Sequence, residues 1–597
     1  MNKQEIAVVV ALFLLLLGWF FVQQRYLSPP PAKRPMPAAQ AAPSNAAPLQ
    51  VEAPTPPALR PAPVLTADPR TNEPAAAAEA AEKHETLEPQ RLALTNSVAR
   101  VTISSWGGGI EAVELKKYRV SVDRDSRPVV LDFAGRPALS LSGLAGLTTN
   151  NDFTLGVDGQ SVRIERATAE GIRFERTIVL EDGYRLDVTD AYRNEGSAAL
   201  MLPPHGVRLG AMELMEAKPN SMGISFMGID TLEDKGGVEV RHWGGKELPA
   251  LFGVKTSFMS CTPPNADAMP TSVAHKAEVP IAWTAVKNRY FVEILRPDGS
   301  GTGCELQASR SMAAPGAFLI GQASADMLFS GRELKPGETF TRKMTYYAGP
   351  KEYSSLKPLG DHQDDVMEFG WFEWFRWLCK VLLWTLNALH AVIPNYGIAI
   401  ILLTLIVRVI FWPVTHKSTE SMKKMQQIQP LVNELRAKYK EKPQKMNEEV
   451  MALYKKHKVN PLAGCLPMLV QIPVFIALFI VLRSAVELRF APFLWIRDLS
   501  EPEGILAGVL PFGGLNILPL LMTATTIWQQ KITPSTMDPQ QQKLMMFMPV
   551  VMLFLFYNMA SALVLYWTVS QVLAIVQLVW QKKDAAAKEA VKSAKPA

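Results

Sequence analysis

The stretch NYGIAIILLTLIVRVIFWPVT, Asn395 to Thr415, decides the architecture of this chain. It is an apolar run long enough to cross the roughly 30 Å hydrocarbon core of a bilayer as one helix, and its single charge is Arg408. A guanidinium at that depth costs at least about 2.5 to 3.5 kcal/mol on insertion scales. Two placements are open to it: facing a protein interior or wet cavity, or snorkelling the roughly 10 Å to headgroups near Thr415. Thr404 lies one turn earlier on the same face.

Working outward, apolar runs recur from Leu462 to Leu482, from Ile505 to Trp528 and from Leu544 to Trp580. The last is too long for one helix and fits two short spans with a turn near Asn558-Met559-Ala560-Ser561. At the front, Ile6 to Val22 is uncharged and is followed by Gln23-Gln24-Arg25-Tyr26 rather than a small-residue cleavage site, so it is expected to stay as an anchor. The expectation is six spans, one at the front and five at the back. Between Thr415 and Pro461 stand eleven Lys and Arg against five Glu, which places that loop in the cytoplasm. Both termini are then cytoplasmic and the region between the first two spans lies outside. Arg25, Lys33 and Arg34 after the first span argue the other way, but long domains translocate largely regardless of flanking charge.

Composition agrees with a chain of two characters. Of 597 residues, 48% are hydrophobic and 20% charged, with a net charge of +6, which excludes a wholly disordered chain. A mean hydropathy of +0.06 is high for a soluble protein of this length and indicates lipid-embedded segments diluted by a polar domain. Cys261, Cys304, Cys379 and Cys465 are too few and scattered for a disulfide framework or a zinc site; whether Cys261 and Cys304 pair stays open. Residues 28–90 are rich in Pro and Ala and form a linker.

From there to about residue 350 the pattern has period two: Ile172, Phe174, Ile178 and Leu180, the turn Glu181-Asp182-Gly183, then Tyr184, Leu186 and Val188. Antiparallel strands over such a length imply a large β-sandwich, with two sheets extended across each other. His205, His242 and His275 are separated in sequence, with no nucleophile motif, paired metal ligands or phosphate loop beside them, so they are expected to be packed or surface histidines and no enzyme is indicated.

Residues 366–393 carry Trp371, Trp374, Trp377 and Trp384, with Glu373, Arg376 and Lys380 at helical spacing, and suit an amphipathic helix lying in the outer interface. Residues 416–460 repeat apolar positions every three and four residues, as in an antiparallel helical hairpin with a turn near Glu441-Lys442-Pro443 and a kink at Pro430. Its basic face suits anionic lipid, ribosomal RNA or an acidic partner. Polar side chains in the later spans, Gln471, Thr523, Thr525, Thr526, Gln529, Gln530, Trp567, Thr568, Ser570 and Gln571, are individually expected to join helices, and with Arg408 they could line a hydrated groove. Met545, Met546, Met548 and Met552 supply soft, adaptable surface nearby.

These residues carry a resemblance. NYGIAIILLTLIVRVIFWPVT, KVNPLAGCLPMLVQIPVF from Lys458, WQQKITPSTMDPQQQKLMMFMPV from Trp528 and SALVLYWTVSQ from Ser561 closely resemble the Oxa/YidC/Alb membrane protein insertase family, most of all its Gram-negative bacterial members. The resemblance is strong over about 370 to 582, while the front half agrees in order and size. It implies a polytopic α-helical membrane protein of six spans, with a large periplasmic all-β supersandwich domain and a cytoplasmic helical hairpin, in the bacterial inner membrane. Its parts would be an anchor (1–27), the linker (28–90), the β domain (91–350), the interfacial helix (366–393), a five-span core (395–582) enclosing the hairpin, and a basic tail (583–597). It further implies a substrate groove with Arg408, a partner threonine at Thr404, Gln530, and the pair Tyr566 and Trp567; Trp567 lacks the hydroxyl of the tyrosine form. No cofactor is implied. The implied partners are nascent membrane proteins, the Sec translocon with its accessory subunits, the ribosome and the lipid bilayer. A secondary transporter would show matching halves, which the five rear spans lack; an anchored carbohydrate-active envelope protein is the other alternative.

Overall fold

Side chains two apart share one face of a strand, so the alternation between Arg91 and Pro350 can bury its apolar set only by forming sheets. The computed structural model describes residues 88–593 without 124, 216–225, 235–237, 246, 255–268, 312–317, 371, 441, 458, 460–465, 506–513 and 534–538. The expected anchor, nearly all of the linker, Trp371, Cys261, Cys465 and the end of the basic tail lie outside the described residues.

Ile172–Leu180 and Arg185–Asn194 pair antiparallel, with Ile172 opposite Asn194 and Leu180 opposite Leu186. Gly183 in their turn has φ 82°, a conformation that glycine adopts without steric cost. Ile172, Phe174, Ile178, Leu186 and Val188 are buried, as the alternation requires. These two strands belong to a nine-stranded sheet, accompanied by sheets of six, four and two strands, so the β domain is larger than a simple pair of sheets. Ile281–Lys287 and Phe291–Pro297 are buried almost throughout because they lie mid-sheet with both faces covered. Arg176 and Asp190 face each other across neighbouring strands, fully buried and doubly bonded at 2.6 and 2.7 Å. Arg176 also donates to the carbonyls of Gly108 and Leu139, which satisfies a charge that would otherwise be costly to bury. Cys304 is a buried free thiol.

The second half is helical: α1 (Glu373–Val392), α2 (Tyr396–Gln427), α3 (Gln429–Lys438), α4 (Pro443–Lys456), α5 (Leu466–Ser484), α6 (Ile517–Ile532), α7 (Pro539–Phe556) and α8 (Ser561–Ser593). Among the described residues, Tyr396–Gln427 and Ser561–Asp584 are long and apolar enough to cross a membrane, and Val470–Ser484 and Met545–Phe556 are shorter apolar helices. α2 has 32 residues, hence a length of roughly 48 Å, so its basic end projects well beyond a bilayer core.

Several sequence expectations shift. Asn395 and Gly397, whose types suggest a break between the interfacial helix and the next span, have different roles: Gly397 lies in the first turn of α2, where a Cβ would come within 2.1 Å of the Phe493 ring. Asn395 starts that helix, its Oδ1 accepting from the Ile398 amide at 3.1 Å. The apolar run from Ile505 is not helical from its beginning: Ile505 bridges to Leu515, Gly514 takes φ 107°, and α6 starts at Ile517. Pro430 does not bend one arm of a hairpin; the chain breaks at Ile428 and Pro430 occupies the first turn of α3, where its missing amide proton is not needed. α1 buries Cys379, Leu382, Leu383 and Leu386 and exposes Trp374, Trp377 and Trp384. Its cations are partnered, Arg376 with Asp365 at 3.0 Å and Lys380 with Asp364 at 2.6 Å.

Candidate functional site

In an apolar helix bundle the interior carries few polar groups, so their hydrogen bonds identify the positions that differ from packing. α2 buries Gly397, Ala399, Ile400, Leu403, Thr404 and Val407, and exposes Leu405, Ile406, Val409 and Ile410. Arg408 lies at the edge of the inner face and is half-buried. Of its two open placements, the structure adopts the inward one. Nε donates to Ser570 Oγ at 3.1 Å, and Nη2 donates to Ser570 Oγ at 2.8 Å and to the Ser570 carbonyl at 2.7 Å.

The contact belongs to a seam between α2 and α8. Gln577 Nε2 donates to Thr415 Oγ1 at 3.0 Å, Gln581 Nε2 meets His416 Nδ1 at 3.0 Å, and Lys423 Nζ donates to the Gln581 carbonyl at 3.2 Å. Arg408–Ser570 and Thr415–Gln577 share an offset of 162 residues, so the two helices run in the same direction and meet again after two turns. No Asp or Glu occurs in 396–415, 466–484, 517–532, 539–556 or 561–583. The apolar helices therefore bring no carboxylate of their own to Arg408.

The other expected site residues are placed as follows. Thr404 is buried and its Oγ1 donates to the Ile400 carbonyl at 2.6 Å, so Arg408 engages Ser570 rather than Thr404. Tyr566 is buried on α8, and its hydroxyl accepts from Gln471 Nε2 on α5. Trp567 packs edge-on against Phe475 at 4.9 Å and lies 5.5 Å from Phe556, an aromatic cluster joining α5, α7 and α8. Gln530 is half-buried on α6. Thr523, Thr525, Thr526 and Thr568 do not join helices as expected, because each hydroxyl bonds a carbonyl three or four residues back on its own helix. Ser570 appeared in the sequence only as one polar residue among many, and Gln577, Gln581 and His416 gave no signal. The seven-residue spacing shared by Arg408/Thr415 and Ser570/Gln577 is the pattern that would have found them.

In the β domain the three histidines are packed. His205 Nδ1 meets the Pro203 carbonyl at 3.0 Å and its Nε2 lies 2.8 Å from Arg342 Nη1. Burial first, and then Arg342, lower its pKa to about 4, so the ring is neutral, donating to Pro203 and accepting from Arg342. His275 packs on Trp243 at 4.9 Å. His242 lies 2.9 Å from Asp230, and with Glu368 these form the one possible three-ligand metal group among the described residues, a grouping invisible in sequence. Lys287 already bridges it, bonded to Asp230 and, at 2.6 Å, to Glu368, so the group is an ion-pair network that runs from the buried Asp230 and Lys287 out to the exposed Glu368.

Residues 388–589 match the family described as 60Kd inner membrane protein, and residues 91–385 match the YidC periplasmic domain. A membrane protein insertase YidC of Geobacter sp. (strain M21) is 34% identical over 503 residues, covering 80% of this chain and 83% of that protein. A membrane protein insertase YidC of Geobacter metallireducens is 33% identical over 596 residues, covering 96% of this chain and 97% of the other. A solved active YidC insertase, with its first transmembrane domain resolved, is similar at 18% identity and a TM-score of 0.33, over 83% of this chain and 93% of that one.

Proposed function

This chain belongs to the YidC family of membrane protein insertases, which makes it a bacterial inner-membrane protein acting on nascent membrane proteins, and we propose that Arg408 is the group that receives a client's polar flank. The supporting observation is a half-buried guanidinium whose hydrogen bonds among the described residues all go to Ser570, between helix segments, 396–415 and 561–583, that carry no carboxylate. A hydrophobic segment leaving water gains by burying apolar area, while its polar flank opposes the transfer. An acidic flank meeting Arg408 exchanges part of its lost hydration for a charge-assisted contact, and this lowers the barrier. Thr404, Gln530, Tyr566 and Trp567, which the resemblance marks, belong to the same client path in this reading, with Gln471 bonded to the Tyr566 hydroxyl. The hydrophobic segment itself supplies the driving force, and no covalent step is involved.

Further parts of the reading rest on sequence. Six spans, both termini in the cytoplasm, α1 in the outer interface and the domain boundaries given above fit the charge distribution. The basic faces of α3 and α4 suit the ribosome, and the Sec translocon is a second partner. The test uses the purified full chain in liposomes and a short two-span client with an acidic flank. Arg408→Ala is expected to lower insertion at least about tenfold, as the loss of one charged contact predicts, and Arg408→Lys to retain much of it. Insertion by Arg408→Ala equal to that of the parent would overturn the role of the charge.

A further inference from the structure

A guanidinium has two donor edges, and how they are spent decides what the group can still bind. In Arg408 one edge is committed: Nε and Nη2 both donate to Ser570, through the hydroxyl and the main-chain carbonyl. Nη1 has no hydrogen bond among the described residues, and no carboxylate stands in the apolar parts of the surrounding helices. Ser570 is buried, with 6% of its surface exposed, and is small enough for the guanidinium to reach a helix carbonyl. The Thr415–Gln577 bond two turns along holds α2 and α8 in the same register, so this contact does not depend on one flexible side chain.

We propose that Ser570 is a positioning residue: it grips Arg408 by the Nε–Nη2 edge and leaves the Nη1 protons facing the path, where a client carboxylate makes the missing ion pair. Without the hydroxyl, the long arginine side chain regains rotamers that carry its head toward the headgroups, and the charge is no longer presented at one depth. Ser570 thus favours clients with an acidic flank over those with a neutral one. This rests on the reading of Arg408 as the receiving group.

The experiment compares insertion of two clients differing only in an Asp against an Asn in the flank, by the full-length protein in liposomes, for the parent, Ser570→Ala, Ser570→Thr and Arg408→Ala. Ser570→Ala is expected to lower the acidic-to-neutral insertion ratio about tenfold, the factor given by one hydrogen bond to a charged group. Ser570→Thr, which keeps the hydroxyl, is expected to restore it, and adding Ser570→Ala to Arg408→Ala is expected to change the ratio no further. An unchanged ratio in Ser570→Ala, beside a lowered one in Arg408→Ala, would overturn the positioning role and leave the reading of Arg408 intact. Equal loss for both clients would mean a packing role and would also overturn it. A ratio unchanged in Arg408→Ala itself would remove the premise.

Discussion

His205 shows how a buried residue sets a pH limit on the β domain. Its pKa falls from 6.5 to about 4 on folding, first through burial, so the unfolded chain binds more protons than the folded one between those values. Stability is therefore complete above about pH 6.5 and is lost as pH falls toward 4. Replacing it in His205→Gln, which keeps one donor and one acceptor, is expected to flatten this dependence, read as the pH profile of thermal unfolding of the full chain. A profile as steep as the parent's would show that other groups set the limit. At the same scale, Arg408 was legible in sequence because a charge in an apolar run is rare and costly. Its partner was not, because Ser570 is 162 residues away and a buried serine has no compositional signature.

Among the elements, α6 shows why helix boundaries need more than hydropathy. The apolar run begins at Ile505, yet the helix begins at Ile517, where Glu503 folds back and its carboxylate accepts from the Ile517 and Leu518 amides at 2.8 and 2.6 Å. A carboxylate at a helix N-terminus satisfies orphan donors and meets the positive end of the helix dipole. Glu503→Ala is expected to cost about 1 kcal/mol, seen as faster hydrogen exchange at those two amides with the middle of α6 unchanged. Unaltered exchange there would mean that other groups cap the helix. The turn between α7 and α8 was readable from Asn558 and its neighbours, since the run was too long for one span and no charge marked another break. The break at Ile428 was displaced from the expectation because proline is tolerated in a first helical turn and so starts α3 instead of kinking it.

Across the whole molecule, the β domain meets the membrane half at the tip of the hairpin around Arg289, and again where Arg489 donates to the Arg119 carbonyl at 2.9 Å. Arg289 donates to the carbonyls of Arg483 at 3.0 Å and Ser500 at 2.8 Å and pairs with Glu501, while Tyr290 bonds Ser500 Oγ at 3.1 Å. The same loop receives the start of α8, with the Ser561 amide on Glu501 at 3.0 Å and the Ala562 amide on Leu499 at 2.9 Å. Arg289→Ala is expected to weaken this joint by about 1 to 3 kcal/mol, with faster exchange at the Ser561 and Ala562 amides while Arg176 and Asp190 continue to protect the central strands. Protection unchanged at the joint would mean that the two halves are held elsewhere. The sequence by itself determined the apolar runs, the period-two strands, the charged helix and the family resemblance, because hydropathy, periodicity and short motifs are local properties of a chain. The partner of Arg408, the Asp230–His242–Lys287–Glu368 network and the tie between the halves were decided only by the tertiary structure. Each joins residues far apart in sequence, and which polar groups meet in a buried interior depends on the register of packed helices and strands.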